Sequence, residues 1–262
     1  MHLGHELAAV FYLAAALYGW ADRGRERSVR GVVRGTIIGA FLHVLGIYGI
    51  HLEDPLVPLE SFPAAISLIA LLIVLAFLGS LALARVRSAA LWVATIAALL
   101  TALADLGFWL RAPVGMSELG AGAWSHAHVL LSTSGFSVLA LASLAGLGYL
   151  AKERQLKRKA PPRLLLPALE SLDRAEHVTL SLGYALLTLA VVSGFGWEFS
   201  YGLRPWTLHS LFLLGAWAVY LAPVGLRVLQ HQHGPRPARG VVMSFAILAS
   251  SYLGIRLLGV VV

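Results

Sequence analysis

The sequence predicts an all-α fold: a single transmembrane domain over residues 1–262, built as a polytopic bundle of about eight membrane helices. Three observations predict it. The chain is 58% hydrophobic and only 13% charged, which is far from the composition of water-soluble domains. Uncharged runs of about 18 or more residues recur, and each is long enough to cross a bilayer as a helix. The basic residues are concentrated in alternate loops, as they are in multi-pass membrane proteins.

The apolar spans are bounded by turns and charged segments, which place their ends to within about four residues. The spans are 3–20, 36–52, 63–84, 88–110, 123–151, 177–196, 206–229 and 240–262. Four alternate loops hold seventeen of the lysines and arginines, including Arg227 in the last of these loops, whereas the opposite loops hold only Arg111 and Arg204. The positive-inside rule therefore predicts cytoplasmic basic loops, both termini outside, and a multi-pass location in the cell (inner or plasma) membrane.

Composition also excludes some functions. The sequence contains no cysteine, so disulfides, thiolate ligands and redox thiols are excluded. The net charge of +7 could indicate a nucleic-acid surface, but membrane topology already accounts for the basic loops. No nucleic-acid partner is predicted.

The longest connection, residues 152–176, is predicted as a cytoplasmic basic loop that contains a short interfacial helix. Its first part is highly charged and includes Pro161-Pro162, which stops a helix. Apolar residues at 165, 169 and 172 then follow helical spacing, which indicates an amphipathic helix at the inner membrane surface. A plain connector is the alternative.

The ten histidines sort by depth into two groups. Five of them fall on three helices in the outer half of the bundle: His43, His51, His126, His128 and His209. The others are predicted at surfaces. His2 and His5 are expected on a frayed N-terminus, and the remaining three are expected to be solvated at the cytoplasmic edge.

A histidine inside a membrane segment is costly and therefore indicates a functional site. Imidazole is a common axial ligand of heme iron, so the set predicts a non-covalently bound, b-type heme between helices. We predict the ligand pair His43 and His128, because His43 has no polar neighbour in sequence and His128 enters a helix rich in small residues. His209 is the substitute ligand, followed by His51. Helix capping or hydrogen bonding across helices is the alternative for each single histidine.

Other candidates for the site lie near the outer ends of the spans. A bare metal site at His126-x-His128 would require carboxylates or thiols nearby, and Asp105 is the only carboxylate predicted inside a span. Asp105 either pairs with Arg256 or leaves Arg256 to bind a heme propionate. Trp124 and Trp206 belong either to an interfacial aromatic belt or to a hydrophobic platform for the cofactor.

A resemblance to a known family rests mainly on one segment. It reads Leu166-Pro-Ala-Leu-Glu170-Ser-Leu172-Asp173-Arg174, followed by Gly183, Leu186-Leu-Thr-Leu and Ser193-Gly194. His128 before an apolar helix and His43 on the second helix also fit. On these residues the chain resembles the cytochrome c assembly, or heme-handling, membrane proteins of the CcsA/CcmC type. Within them it is most similar to the short eight-helix branch that includes YpjD and HemX.

The resemblance implies a heme-binding membrane protein that acts in heme handling or cytochrome c biogenesis and is not itself an enzyme. It implies heme and other cytochrome c biogenesis proteins as partners. The family's tryptophan-rich outer segment is shortened here, and Ala222 stands where larger members have a membrane histidine, so His43 or His209 is implied as the second ligand. The alternatives are a HemX-like regulator that docks a heme-biosynthesis enzyme on the cytoplasmic loop, and a cofactor-free transporter.

Overall fold

The structure is a computed structural model that describes residues 3–22, 26–53, 61–84, 87–110, 123–158, 166–200 and 208–257. Over these residues the chain is helical and forms no strand. The helices are α1 (Leu3–Ala21), α2 (Glu26–Glu53), α3 (Phe62–Ala84), α4 (Ala90–Trp109), α5 (Ala123–Lys157), α6 (Leu169–Ser200), α7 (Leu208–Val224) and α8 (Pro235–Leu257). A 3₁₀ turn, Arg87–Ala89, precedes α4, and a π-helical segment, Gly225–Leu229, follows α7. The predicted all-α class is confirmed.

Several of these helices can cross a membrane. Within the described ranges, six stretches are long and apolar enough by length and composition: Arg27–Gly49, Phe62–Leu81, Ala90–Trp109, His126–Lys157, Leu169–Ser200 and Ser210–Leu229. A polytopic membrane protein follows from them, because hydrogen bonds within each helix satisfy the backbone where water is absent. The placement of both termini outside stays a prediction.

The chain folds as two compact units. The first contains Met1–Gly120 and Arg158–Ser171, and the second contains Ala121–Lys157 and Leu172–Val262. Helices α1 to α4 therefore belong to the first unit, and α5, α7, α8 and nearly all of α6 belong to the second.

In the first unit, α1 and α2 approach closely because both carry glycine at their contact. A Cβ atom added to Gly46 would lie 2.5 Å from the backbone nitrogen of His5, and one added to Gly39 would lie 2.6 Å from the ring of Tyr12. Small residues at helix contacts let backbones touch and gain dispersion energy, which replaces the hydrophobic driving force that is missing in lipid. This close contact brings polar side chains of α1 and α2 together.

In the second unit, α5 and α6 cross closely in the same way. A Cβ atom added to Gly135 would lie 2.9 Å from the backbone nitrogen of Leu187, and one added to Gly183 would meet Leu139 at 2.8 Å. Side chains from α5 to α8 form the core around this crossing. Its buried members are Leu139, Ala142, Leu180, Leu187, Ala216, Tyr220, Val241 and Leu248.

A proline inside α7 leaves one backbone carbonyl without its usual donor, and a side chain of α8 donates to that carbonyl instead. Pro223 has no N–H to donate to the carbonyl of Val219, four residues earlier. The hydroxyl of the buried Ser244 lies 3.5 Å from that carbonyl oxygen and donates to it. Neighbouring helices commonly satisfy backbone groups that proline leaves open inside membrane helices. The chain continues past Pro223 into the π-helical segment.

The structure corrects the predicted bounds of the basic loops. Residues 152–157 belong to α5 and 169–176 belong to α6, so the predicted loop 152–176 is much shorter and its second half begins a long helix. Helix α2 likewise begins ten residues before its predicted span. The error has a physical cause: a helix continues beyond its apolar stretch when polar side chains satisfy its surface, as Lys157 and Glu153 do at 2.7 Å. Pro161-Pro162 lies outside the described residues.

Candidate functional site

One cavity in the second unit is lined by α5, α6 and α7. Its free space is about 560 Å³, a volume that includes solvent at the open side of the cavity. Its lining is mostly apolar: Leu187, Ala190, Val191, Gly194, Phe195, Trp197, Leu213 and Leu214, with His128, Ser132, Glu198 and Ser210 as the polar members. An apolar pocket with a few convergent polar groups is the usual form of a cofactor site.

His128 is held in this pocket by α6. Its Nδ1 atom lies 2.9 Å from the carbonyl oxygen of Ala190, to which it donates as the N–H tautomer. The ring rests against Gly194, where an added Cβ would lie 2.9 Å from Cε1. Donation from Nδ1 places the lone pair on Nε2, and metal-binding histidines are commonly oriented by such a bond to a backbone carbonyl. The tautomer and the orientation both suit an axial ligand.

Gly194 provides a test of this orientation. We expect Gly194→Ala to push the imidazole off the helix and to lengthen the bond to Ala190, because the new Cβ would also lie 3.1 Å from Nδ1. The affinity for the heme that the sequence predicts should fall by about tenfold or more, since a ligand displaced by a few tenths of an ångström loses its alignment. Titration of the purified protein with hemin, followed by absorption, measures the change.

The control is Gly215→Ala on α7, because a Cβ there meets nothing within 4 Å. It makes the same chemical change in a membrane helix and should leave heme affinity unchanged. Equal affinities in the two variants would contradict the role of Gly194.

Glu198 is a second polar group of the pocket, and the sequence did not predict it. The side chain is 9% exposed. Its Oε1 atom accepts a hydrogen bond from the hydroxyl of Ser210, while Oε2 is buried without a hydrogen-bond partner in the described part of the chain. The prediction that Asp105 is the only carboxylate within a span is therefore wrong. Helix α6 runs to Ser200 and carries Glu198 into the bundle. Helical spacing from Ala190 through Gly194 could have indicated it.

A separate polar cluster lies in the first unit, where four helices each contribute a side chain. His5 Nδ1 lies 2.6 Å from Asp105 Oδ1, and His5 Nε2 lies 2.7 Å from Ser67 Oγ. The same Ser67 Oγ lies 3.0 Å from His43 Nε2, and His43 Nδ1 lies 3.5 Å from the hydroxyl of Tyr12. One set of neutral tautomers satisfies the chain: Tyr12 donates to His43, His43 to Ser67, Ser67 to His5, and His5 to Asp105.

This cluster corrects two predictions. His5 is fully buried rather than frayed, because Asp105 and Ser67 bind both of its ring nitrogens. His43 is also fully buried, as its depth predicted, but it has polar partners on other helices. The absence of a polar neighbour in sequence was one reason for assigning a cofactor to His43, and the partners on other helices remove that reason.

The remaining predicted residues divide into those that the structure describes and those that it does not. Asp105 accepts a hydrogen bond from His5, and its predicted pairing with Arg256 stays a prediction. His126 is exposed at the protein surface, whereas His128 lines the pocket. The structure does not describe the side chains of His51, Trp124, His209 and Arg256, and it does not describe Trp206 at all. Their roles stay predictions.

A third cluster surrounds the π-helical segment. Arg227 was assigned to a basic loop, but its side chain is 1% exposed. Its Nη2 atom lies 2.7 Å from Asp173 Oδ1 and 2.9 Å from Glu176 Oε1. Arg227 lies within this segment, and Asp173 also accepts from His233 Nδ1 at 2.7 Å. Sequence periodicity missed this pairing because the partners lie 51 or more residues apart.

None of these clusters contains a group of three or more histidine, cysteine, aspartate or glutamate side chains arranged for a bare metal ion, over the described residues. The structure thus defines a polytopic α-helical membrane protein with a histidine-bearing apolar pocket. Comparison of the sequence with family models identifies it more closely. Residues 36–262 match the model of the cytochrome c assembly protein, and the chain belongs to that family.

Individual relatives share part of this region. The chain is 32% identical over 93 residues to the cytochrome c biogenesis protein CcsA of Synechococcus sp. (strain CC9605), which covers 35% of this chain and 31% of the relative. It is 30% identical over 146 residues to CcsA of Synechococcus elongatus, covering 55% and 44%. It is 27% identical over 155 residues to CcsA of Guillardia theta, covering 52% of each. The matched segments thus span about a third to a half of these relatives.

Proposed function

We propose that this protein binds a non-covalent, b-type heme in the His128 pocket and acts in heme handling for cytochrome c biogenesis, as a membrane factor rather than an enzyme. The observation that carries the proposal is the imidazole of His128, which Ala190 and Gly194 of α6 orient within an apolar pocket. The similarity to CcsA proteins supports the same role. The proposed location is the inner or plasma membrane, with other cytochrome c biogenesis proteins as partners.

The residues of the pocket fit a heme group. His128 would supply an axial ligand through Nε2, and the apolar faces of α6 and α7 would cover the macrocycle. When bound, heme supplies a redox-active iron in a flat apolar ring. The chain itself orients the imidazole, and its helices would hold the macrocycle between them. Arg256 remains our proposed partner for a propionate, with Trp124 and Trp206 as the proposed outer platform.

The candidates for the second axial ligand are His43 and His209, and they differ in their hydrogen bonds and in their position relative to the pocket. His43 fits this role less well, because ligation through Nε2 would break its bond to Ser67. His209 lies in the first turn of α7, one residue before Ser210 and four before Leu213, both of which line the pocket. We therefore propose His209 as the second ligand and keep the pair His43 and His128 as the competing assignment.

The test is the absorption spectrum of the purified protein. We expect wild-type protein to show the Soret and visible bands of low-spin heme, and His128→Ala to lose at least about 90% of the bound heme, because one of two iron–imidazole bonds disappears. His126→Ala is the matched control, since it removes an exposed imidazole two residues away, and it should leave the spectrum unchanged.

The same measurement on His209→Ala and His43→Ala decides between the two candidate second ligands. Retention of the wild-type spectrum in His128→Ala would overturn the proposed site, and a wild-type protein without heme bands would overturn the proposed function.

A further inference from the structure

The position of Glu198 gives the proposed heme pocket a fixed electrostatic feature. Ala190, Gly194 and Glu198 follow one another at intervals of four residues, so they line one face of α6. Ala190 accepts the bond from His128 and Gly194 supports its ring. Glu198 is the next residue on that face, about 6 Å further along the helix axis. Its carboxylate therefore lies about one helical turn beyond the imidazole.

In the part of the chain that the structure describes, the carboxylate has little compensation. Its Oε1 atom accepts from Ser210, and its Oε2 atom is buried without a hydrogen-bond partner in the described part of the chain. Among the described residues that line the pocket, none is a lysine or an arginine. A buried carboxylate without a counter-charge is unfavourable, so a positive charge placed in the pocket would be stabilised by it. The pocket is thus suited to a ligand whose buried centre is cationic.

We propose that Glu198 makes the His128 pocket select ferric heme over ferrous heme, an inference that rests on the proposed function. The porphyrin ring carries two negative charges at its nitrogens, so ferric iron leaves one net positive charge at the centre and ferrous iron leaves none. Reduction adds one electron from an external reductant and forms or breaks no bond. It removes the positive charge that Glu198 attracts, and in a medium of low dielectric constant this attraction is strong.

A redox titration of the heme-loaded protein tests the inference. We expect Glu198→Gln to keep its bound heme and to lower the ratio of ferric to ferrous affinity by at least tenfold, which corresponds to a rise of about 59 mV in midpoint potential for a one-electron couple. Glu170→Gln is the matched control, because Glu170 is exposed in the first turn of the same helix. Its midpoint potential should equal that of the wild type.

Ser210→Ala supplies an independent variant with the opposite expected sign. It keeps the carboxylate but removes the hydroxyl that donates to it, so the midpoint potential should fall below that of the wild type. A Glu198→Gln variant with bound heme and an unchanged potential would overturn this inference alone, as would a rise in Ser210→Ala. Absence of heme from the wild type would instead overturn the proposed function, and this inference with it.

Discussion

Replacing Arg227 by methionine is expected to lower the free energy of unfolding by about 3–5 kcal/mol, because it removes a buried cation that bonds the buried Glu176 and the half-buried Asp173. The guanidinium bonds Asp173 at 2.7 Å and Glu176 at 2.9 and 3.1 Å. It also donates to the carbonyl oxygen of Gln232 at 3.2 Å, which ties the link before α8 to α6. Methionine keeps much of the side-chain volume, so the expected loss is electrostatic rather than a packing defect.

Thermal unfolding in detergent, followed by circular dichroism, measures the effect. Arg236→Met is the control, since Arg236 is exposed in the first turn of α8, and it should change stability by less than about 0.5 kcal/mol. Adding Asp173→Asn and Glu176→Gln to Arg227→Met should recover part of the lost stability, because the two negative charges disappear as well. Equal stability of the two arginine variants would show that the cluster is not a structural element.

Replacing Ser67 by alanine is expected to destabilise the first unit by about 2–6 kcal/mol. The hydroxyl contacts two buried imidazoles, so its loss leaves two ring nitrogens without partners, and each orphaned group costs about 1–3 kcal/mol. His5 and His43 bring these nitrogens from α1 and α2 to within 2.7 and 3.0 Å of Ser67 Oγ. The same hydroxyl thus joins three helices through side chains that are almost completely buried.

Ser80→Ala is the matched control on α3. The hydroxyl of Ser80 donates only to the carbonyl of Phe77 on its own helix, at 2.7 Å, so its loss should cost less than about 0.5 kcal/mol. Chemical unfolding of both variants, monitored by tryptophan fluorescence, compares them directly. If Ser67→Ala were as stable as Ser80→Ala, the four-helix cluster would contribute nothing to the fold.

The sequence by itself determined the class of fold and the position of most helices. Long apolar runs can satisfy their backbone in lipid only as helices, so composition and hydropathy were sufficient for that step. The helix that begins before His128 was predicted from the same signal. The motif around Asp173 and Gly194 was also sufficient to indicate the family, although periodicity gave no role for these residues.

The tertiary structure decided which buried polar groups meet. The partners of His5, Arg227 and Glu198 come from other helices, between 12 and 100 residues away, and helical periodicity predicts a face without predicting its partner. Glu198 lies beyond the predicted end of its span at residue 196, and Arg227 was counted among the residues of a basic loop. Both are buried instead, because each finds a hydrogen-bond donor or counter-charge on a neighbouring helix, and only the packed structure supplies that neighbour.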